Sequence, residues 1–534
     1  MRYGRSCRRS KFLHRRSCNN SGGFTLAELV IALTVLSIVA FSLTGLFTSL
    51  ANSAVIAKEK AVASALATNQ MEYLKSLPYD SLAVAGGSIY TTNPLPASTS
   101  QTLNGITYTV KTNIGYIDDA YDGCGSYPTQ ALKQIYCRSY PPPSGAPAVD
   151  SNPADYKIVD VTVFNPDGTQ LAEVDTQISA KVAETASTTG ALFVSVIDSN
   201  GAPVTGATVN VVNTKVGPVN VSDNTDENGI AIFYDLPPDT LNYDYTVTAS
   251  NSGYSTLATI IPSGSLQPNY PSQKILAQQS SYVTLTIKLQ GPDSLLLETT
   301  DTNGNPLPNV KVYTKGGYKK YTSTSDTSYY YDTLNPSDTR PITDSSGLVG
   351  ISNLVPGPYI FCGDSGASSC SVGSTTYYLA AALPYSGTNP LNPVSVPIYD
   401  PGNPPSVTFP YGGRNYYQKV RLLLTTSANF PRVTSFSPYD VSQTGGALNS
   451  FSFQVNGTNL PCSNSPSSCG TSVKFIQNSN TYVSLCTGTS GSQINCTVNL
   501  SGISVGNAQL VISANGYTLT LPASPQLGGL SVTP

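Results

Sequence analysis

Between Phe24 and Leu77 the chain contains no proline, and from Leu29 to Leu50 it carries no charge. A run of 22 uncharged, mostly apolar residues matches the roughly 20 that a helix needs to cross a bilayer core. The whole proline-free stretch of 54 residues would extend roughly 80 Å as one helix. Its second half offers Val62, Leu66, Tyr73 and Leu77 at steps of four, seven and four, which predicts one face packed on a small sheet. Gly45 is the weak point and Pro78 the stop.

What precedes the run is basic. Residues 1–23 hold Arg2, Arg5, Arg8, Arg9, Lys11, Arg15 and Arg16 and no acid. The remaining 21 basic groups face 31 acidic ones, a charge of −10. A mildly acidic chain offers phosphates no cationic surface, so no nucleic acid is expected as a partner. The one histidine, His14, also lies in this leader. Without it, Ser-His-Asp and Cys-His catalysis and histidine-ligated metals are closed. No motif marks a carboxylate pair for glycoside hydrolysis. We expect no enzyme, no cofactor and no metal.

Glu28 is the only charge between Phe24 and Ala57, and a charge at the end of a span needs a partner. A secretory signal with a cut near Ala51-Asn52-Ser53-Ala54 is one alternative, but its apolar core would be roughly 7–15 residues, shorter than this one. A twin-arginine signal at Arg8-Arg9 has its spacing off by one. A cut between Gly23 and Phe24 would instead leave a free amine on Phe24, with Glu28 as the fifth residue of the new chain.

Gly23, Phe24, Thr25, Leu26, Glu28 and the helix Leu29–Leu50 together resemble the class III signal of type IV pilins and type II secretion pseudopilins. The resemblance implies a prepilin peptidase that cuts after Gly23 and methylates Phe24. It implies that Glu28 neutralises a neighbour's N-terminus during assembly with other pilins and the pilus machinery. The leader would stay cytoplasmic, in line with its arginines, and the chain would move from the cytoplasmic membrane to the cell surface. The segment Ala65–Tyr79, "ALATNQMEYLKSLPY", looks like the second helical half of minor pilins.

The rest reads as β structure. Charged residues make up only 11%, with 44 Gly, 39 Pro and 34 Tyr, and 534 residues imply about three to five domains. Gly105–Thr112, Tyr156–Phe164 and Asp175–Val182 alternate as half-buried strands. They place a pilin-like head at 80–186, after a helix at 24–79 whose half 24–50 spans the membrane. "DDAYDGCG", Asp118–Gly125, could hold calcium but lacks alternating ligands, and turn chemistry is the simpler reading.

From 187 the chain repeats itself. Asp198-Ser-Asn-Gly201 with Thr225-Asp226-Glu-Asn-Gly229 returns as Asp301-Thr-Asn-Gly304 with Thr343-Asp344-Ser-Ser-Gly347. The repeat resembles the carboxypeptidase regulatory-like sandwich, which implies a spacer or binder at 187–290 and a looser copy at 291–430. Here too calcium is the rival to plain turns. The insert Tyr318–Tyr331 reads either as an exposed contact loop or as a Tyr-rich edge strand. Residues 384–413 read as linker, and Val420–Leu424 as the strand that closes the copy. Residues 431–534, opening at Pro431-Arg-Val-Thr-Ser-Phe436-Ser-Pro438, resemble an Ig-like domain of IPT/TIG type.

Eight cysteines outside the leader fall into near neighbours: Cys124/Cys137, Cys362/Cys370, Cys462/Cys469 and Cys486/Cys496. They suggest disulfides in an oxidising compartment. The last four could cross-pair, or form a four-thiolate zinc site without a CxxC knuckle. The expected architecture is an α+β pilin-like region followed by tandem β-sandwiches. The expected function is a minor pilin-like subunit, at the filament tip or rarely incorporated, that displays its β modules to an unknown surface ligand. The alternative is a pseudopilin-like part of a secretion or DNA-uptake machine, told apart by which process a deletion strain loses.

Overall fold

A computed structural model describes residues 25–534 except 121–122, 126, 128, 147–149, 151–153, 180–187, 240–241, 292–293, 324–327, 335–336, 363–368, 385–395, 399–408, 445–446 and 523–528. The chain is a long N-terminal apolar helix followed by many strands in sandwich-like sheets. It divides into two compact units. One holds the helix to Leu74 with Ser98–Lys111 and Asp160–Asp175; the other holds Lys75–Ala97, Thr112–Val159 and Thr176–Pro534.

In the first unit the helix runs unbroken from Leu26 to Ser76, 51 residues, or roughly 77 Å. It stops two residues before Pro78, whose ring disfavours the α conformation just ahead of it. Gly45 does not interrupt it. Every described residue up to Ala57 is exposed, and the helix is long and apolar enough to cross a membrane. The hydroxyls inside this apolar run donate back to their own helix: Thr34 to the Ile31 carbonyl, Ser37 to Leu33, Ser42 to Ile38 and Thr48 to Thr44. Such back-bonding lets hydroxyls enter lipid without an unpaired donor.

The helix becomes one-sided after residue 60, though not on the predicted face. The buried residues are Ala63, Leu66, Ala67, Met71 and Leu74. Of the four predicted, only Leu66 is among them; Val62 and Leu77 are half-buried and Tyr73 is 51% exposed. Ala63 and Ala67 let the helix approach its neighbours closely, and they rotate the contact face away from Tyr73. In the same unit Ser98–Leu103 pairs antiparallel with the strand from Ile106 through a two-residue turn. Asn104 and Gly105 in that turn both have positive φ, as a type I′ hairpin requires. Tyr108, Val110, Val161 and Val163 are the sheet's buried apolar residues there.

In the second unit two sandwiches share one plan. The first has sheets Leu257–Ala258/Thr246–Ser250/Thr208–Asn213/Val219–Asn224 and Ser280–Thr286/Gly190–Ile197/Ile230–Leu236. Val194, Val209, Val211, Phe233, Tyr245 and Leu285 fill the core between them. The last strand lies parallel to the first, from Ser280 against Ala191 to Thr286 against Ile197. The second sandwich repeats that trio as Leu348–Ile351, Leu295–Asp301 and Lys419–Thr425, again with the last strand parallel to the first. It adds Thr375–Pro384 and Cys370–Val372 beyond the closing strand. The segment read as linker, 384–413, lies mostly outside the described residues, but Val396–Ile398 within it joins Gly357–Phe361 as a strand.

The described residues of 432–533 form nine strands around a cluster of Phe436, Phe453 and Phe475. Here Asp440–Ser442 is parallel to Leu530–Thr533.

Candidate assembly segment and module turns

Thr25 and Glu28 build the start of the helix between them. The Glu28 N–H donates to Thr25 Oγ1 at 3.2 Å, and Glu28 Oε2 accepts from the Thr25 N–H at 3.1 Å and from its hydroxyl at 3.0 Å. This reciprocal box satisfies donors that the first helical turn leaves open. It also holds the carboxylate at the positive end of the helix dipole. Glu28 Oε1 takes no protein partner among the described residues, and the stripe Ile31, Ala32, Val35, Leu36 and Val39 runs on from it. The segment can therefore present one carboxylate oxygen to an amine on a neighbouring apolar helix. Gly23, Phe24 and the leader with His14, Cys7 and Cys18 lie outside the described residues. The role of Thr25 as the cap was missed, although Thr-x-x-Glu stands in the sequence.

Among the described residues, four disulfides join sequence neighbours: Cys124–Cys137, Cys362–Cys370, Cys462–Cys469 and Cys486–Cys496. The last two overturn both cross-pairing and the four-thiolate zinc alternative, since a bonded sulfur is no thiolate ligand. At the first bridge the sulfurs of Cys124 and Cys137 lie close to the Asp118 carboxylate. That group is engaged within its own loop. Asp118 Oδ2 accepts from the Gly125 N–H at 3.1 Å and from the Tyr127 hydroxyl at 2.7 Å. Burial first, and the Asp118 charge among its neighbours, push the Tyr127 phenol far above its ordinary pKa and keep it a donor. Asp122 lies outside the described residues. The loop packs Tyr127 edge-on against Phe193 of the first sandwich, and the Tyr136 hydroxyl donates to Asp226.

The repeated Asp residues share one role. Oδ1 of Asp198 accepts from the N–H groups of Asn200 and Ala202, and Oδ1 of Asp226 from those of Asn228 and Ile230. Oδ1 of Asp301 takes Asn303 and Asn305, and Oδ1 of Asp344 takes Ser346 and Leu348. Each aspartate thus closes its own turn. The Leu348 N–H foremost holds the Asp344 carboxyl below the usual carboxylate range.

The residue before two of these turns carries as much. Thr225 Oγ1 accepts from the Ala207 N–H and donates to the Val204 carbonyl. Thr343 Oγ1 accepts from the Val310 N–H and donates to the Leu307 carbonyl. Gly229 and Gly347 sit at φ +72° and +74°, and a Cβ on either would meet a backbone carbonyl at 2.6 Å.

The Tyr-rich insert is not an exposed contact loop. Tyr318 and Tyr329 are buried, and Tyr329–Asp332 is an edge strand of the second sandwich. The Tyr318 hydroxyl donates to the Thr286 carbonyl and the Tyr330 hydroxyl to the Ala258 carbonyl, both at 2.7 Å. Lys288 lies 4.6 Å over the Tyr318 ring. These rings join one sandwich to the next. Residues 324–327 of the insert lie outside the described residues.

Comparison with known proteins adds two family matches. Residues 18–44 match the prokaryotic N-terminal methylation motif, and residues 191–289 match the carboxypeptidase regulatory-like domain. No curated protein matches the chain. Among solved structures it matches the Bacillus anthracis TIE protein at 12% identity, over 71% of this chain and 58% of that one, with a TM-score of 0.16. It matches a streptococcal ancillary pilin at 12% identity, over 38% and 65%, with a TM-score of 0.17. It matches the major pilin subunit BcpA of Bacillus cereus at 14% identity, over 25% and 38%, with a TM-score of 0.14. The chain spans less than two thirds of the length of each of these three. It carries the N-terminal methylation motif of type IV pilins on an apolar helix, ahead of a carboxypeptidase regulatory-like domain.

Proposed function

We propose that the chain is a minor type IV pilin-like subunit, placed at the filament tip or incorporated rarely, whose β modules attach the cell to a surface. The observation that carries the reading is the methylation motif at 18–44 on a helix whose first half is exposed and, apart from Glu28, uncharged. The motif implies a prepilin peptidase substrate that works with the pilus machinery, and the helix implies membrane association. The leader is cytoplasmic in this reading, Gly23 and Phe24 flank the cut, and Glu28 is the assembly charge. Residues 187–534 make up about two thirds of the chain. That bulk at every position would crowd a filament lattice, which favours rare or terminal placement. The last module, 431–534, serves as an Ig-like unit. The role is non-enzymatic, since the one histidine lies in the leader.

Sheared surface filaments analysed by mass spectrometry should yield a chain that begins at Phe24, with an N-methyl group. A start near Ala51, or recovery only as free secreted protein, would remove the pilus reading. Glu28→Ala should leave the protein in the membrane at its normal level and reduce its share in sheared filaments by tenfold or more. Equal recovery of the variant in both fractions would remove the assembly role.

A further inference from the structure

The last module carries an ordered array of side chains that neither family match assigns. Four of its strands pair in the order Arg432–Ser437, Phe451–Thr458, Gln493–Val498 and Asn480–Ser490. Alternate side chains of each strand point away from the phenylalanine core. Ser435, Asn456 and Gln493 stand directly opposite one another in one row. The adjacent row is Ser437, Gln454, Asn495 and Thr487.

The amides of these rows hold one another. Gln493 Nε2 donates to Asn456 Oδ1, Asn456 Nδ2 to Gln454 Oε1, and Gln454 Nε2 to Asn495 Oδ1, at 3.0–3.1 Å. The chain of bonds ends with donors left over. Among the described residues, neither the Asn495 amide nitrogen nor the hydroxyls of Ser437 and Thr487 have a protein partner. A groove of about 520 Å³ runs over this second row, with Pro466 and Leu485 at its margins. Leu485 is 69% exposed. Among the described residues, no charged side chain lines the groove. Two disulfides brace it. Cys486–Cys496 ties the two strands directly beneath, and Cys462–Cys469 holds the loop that carries Pro466.

We propose that this groove binds a neutral, hydroxyl-rich polysaccharide, which makes it the ligand site of the adhesive reading above, on which it rests. Sugar hydroxyls donate and accept, as amides and hydroxyls do. Amides already locked to one another lose little freedom when a ligand arrives. Leu485 and Pro466 offer apolar contact to the C–H faces of a sugar ring. An anionic polymer would find no cation to pair with, and a charged peptide no counter-charge.

The test uses the full chain in detergent micelles, titrated calorimetrically with cellohexaose, mannohexaose and hexa-N-acetylchitohexaose. A heparin hexasaccharide and gelatin serve as the charged and the polypeptide probes. At least one neutral hexasaccharide should bind. Gln454→Ala with Asn495→Ala should weaken it about tenfold or more, as the loss of two hydrogen bonds implies. Ser437→Ala, whose lost hydroxyl bonds neither amide, should weaken it severalfold without moving the melting temperature. No binding by any neutral probe, equal binding by the variants, or tighter binding of heparin or gelatin would overturn the proposal. Cell attachment separates the two readings. If a deletion strain detaches while the double variant attaches normally, the groove is wrong and adhesion stands. If the deletion strain attaches normally, the adhesive reading falls and the groove's role with it.

Discussion

At Thr225 and Thr343 one buried hydroxyl accepts from a backbone N–H and donates to a backbone carbonyl, in both copies of the repeat. Valine has nearly the same shape but neither capacity. Thr225→Val or Thr343→Val should therefore leave a buried N–H unpaired and destabilise its sandwich by about 1–3 kcal/mol. Serine at the same site should recover most of that. Denaturant unfolding followed by limited proteolysis of the affected module reads the difference; equal loss in the Val and Ser variants would show that the methyl, not the hydroxyl, matters. The aspartate that follows each threonine, and the glycine three residues later, complete the same device. Asp-x-Asn-Gly and Thr-Asp-x-x-Gly are legible as turns because their chemistry is local. The threonine's second job is not, because its partners lie 18 to 36 residues away.

Elements follow the same division. The strands at 106 and 156 announce themselves by alternation, and Tyr156–Phe164 forms as read. Ser98–Leu103, a polar strand of Ser, Thr and Gln, has no such signal and is recruited by its hairpin partner. The helix reads easily in extent, since absence of proline is a local fact. Its packed face reads poorly, since alanines at 63 and 67 count for little in hydropathy and much in close approach. Met71→Ala or Leu74→Ala should cost about 2–5 kcal/mol, whereas Tyr73→Ala should stay within about 0.5 kcal/mol. Protease susceptibility of the detergent-solubilised chain around residues 98–111 would register the change. Similar sensitivity in all three variants would place Tyr73 back on the packed face. The Tyr-rich insert misled for a related reason. Tyrosine suits a sticky surface and a junction equally, and only the neighbouring sandwich, with the Thr286 and Ala258 carbonyls, decides.

For the whole molecule, the methylation motif was legible from a glycine, a glutamate and a span at fixed offsets. The cap that Thr25 makes for Glu28 was equally present in the letters and needed the geometry to be noticed. The polar rows of the last module could not be read at all, because cross-strand register is a long-range property. Register has a further consequence. In all three sandwich-like modules a strand near the start lies parallel to the strand at the end. When such a module is pulled by its two ends, neighbouring strands are dragged in opposite directions along their length. The hydrogen bonds between them are loaded in shear and must fail together, rather than unzip one at a time. The disulfides do not relieve this, since each closes only a short loop. In single-molecule extension each module should hold to a high force and then yield in one step; slow lengthening at low force would contradict it. A surface subunit that carries these modules in series would then stay taut under load.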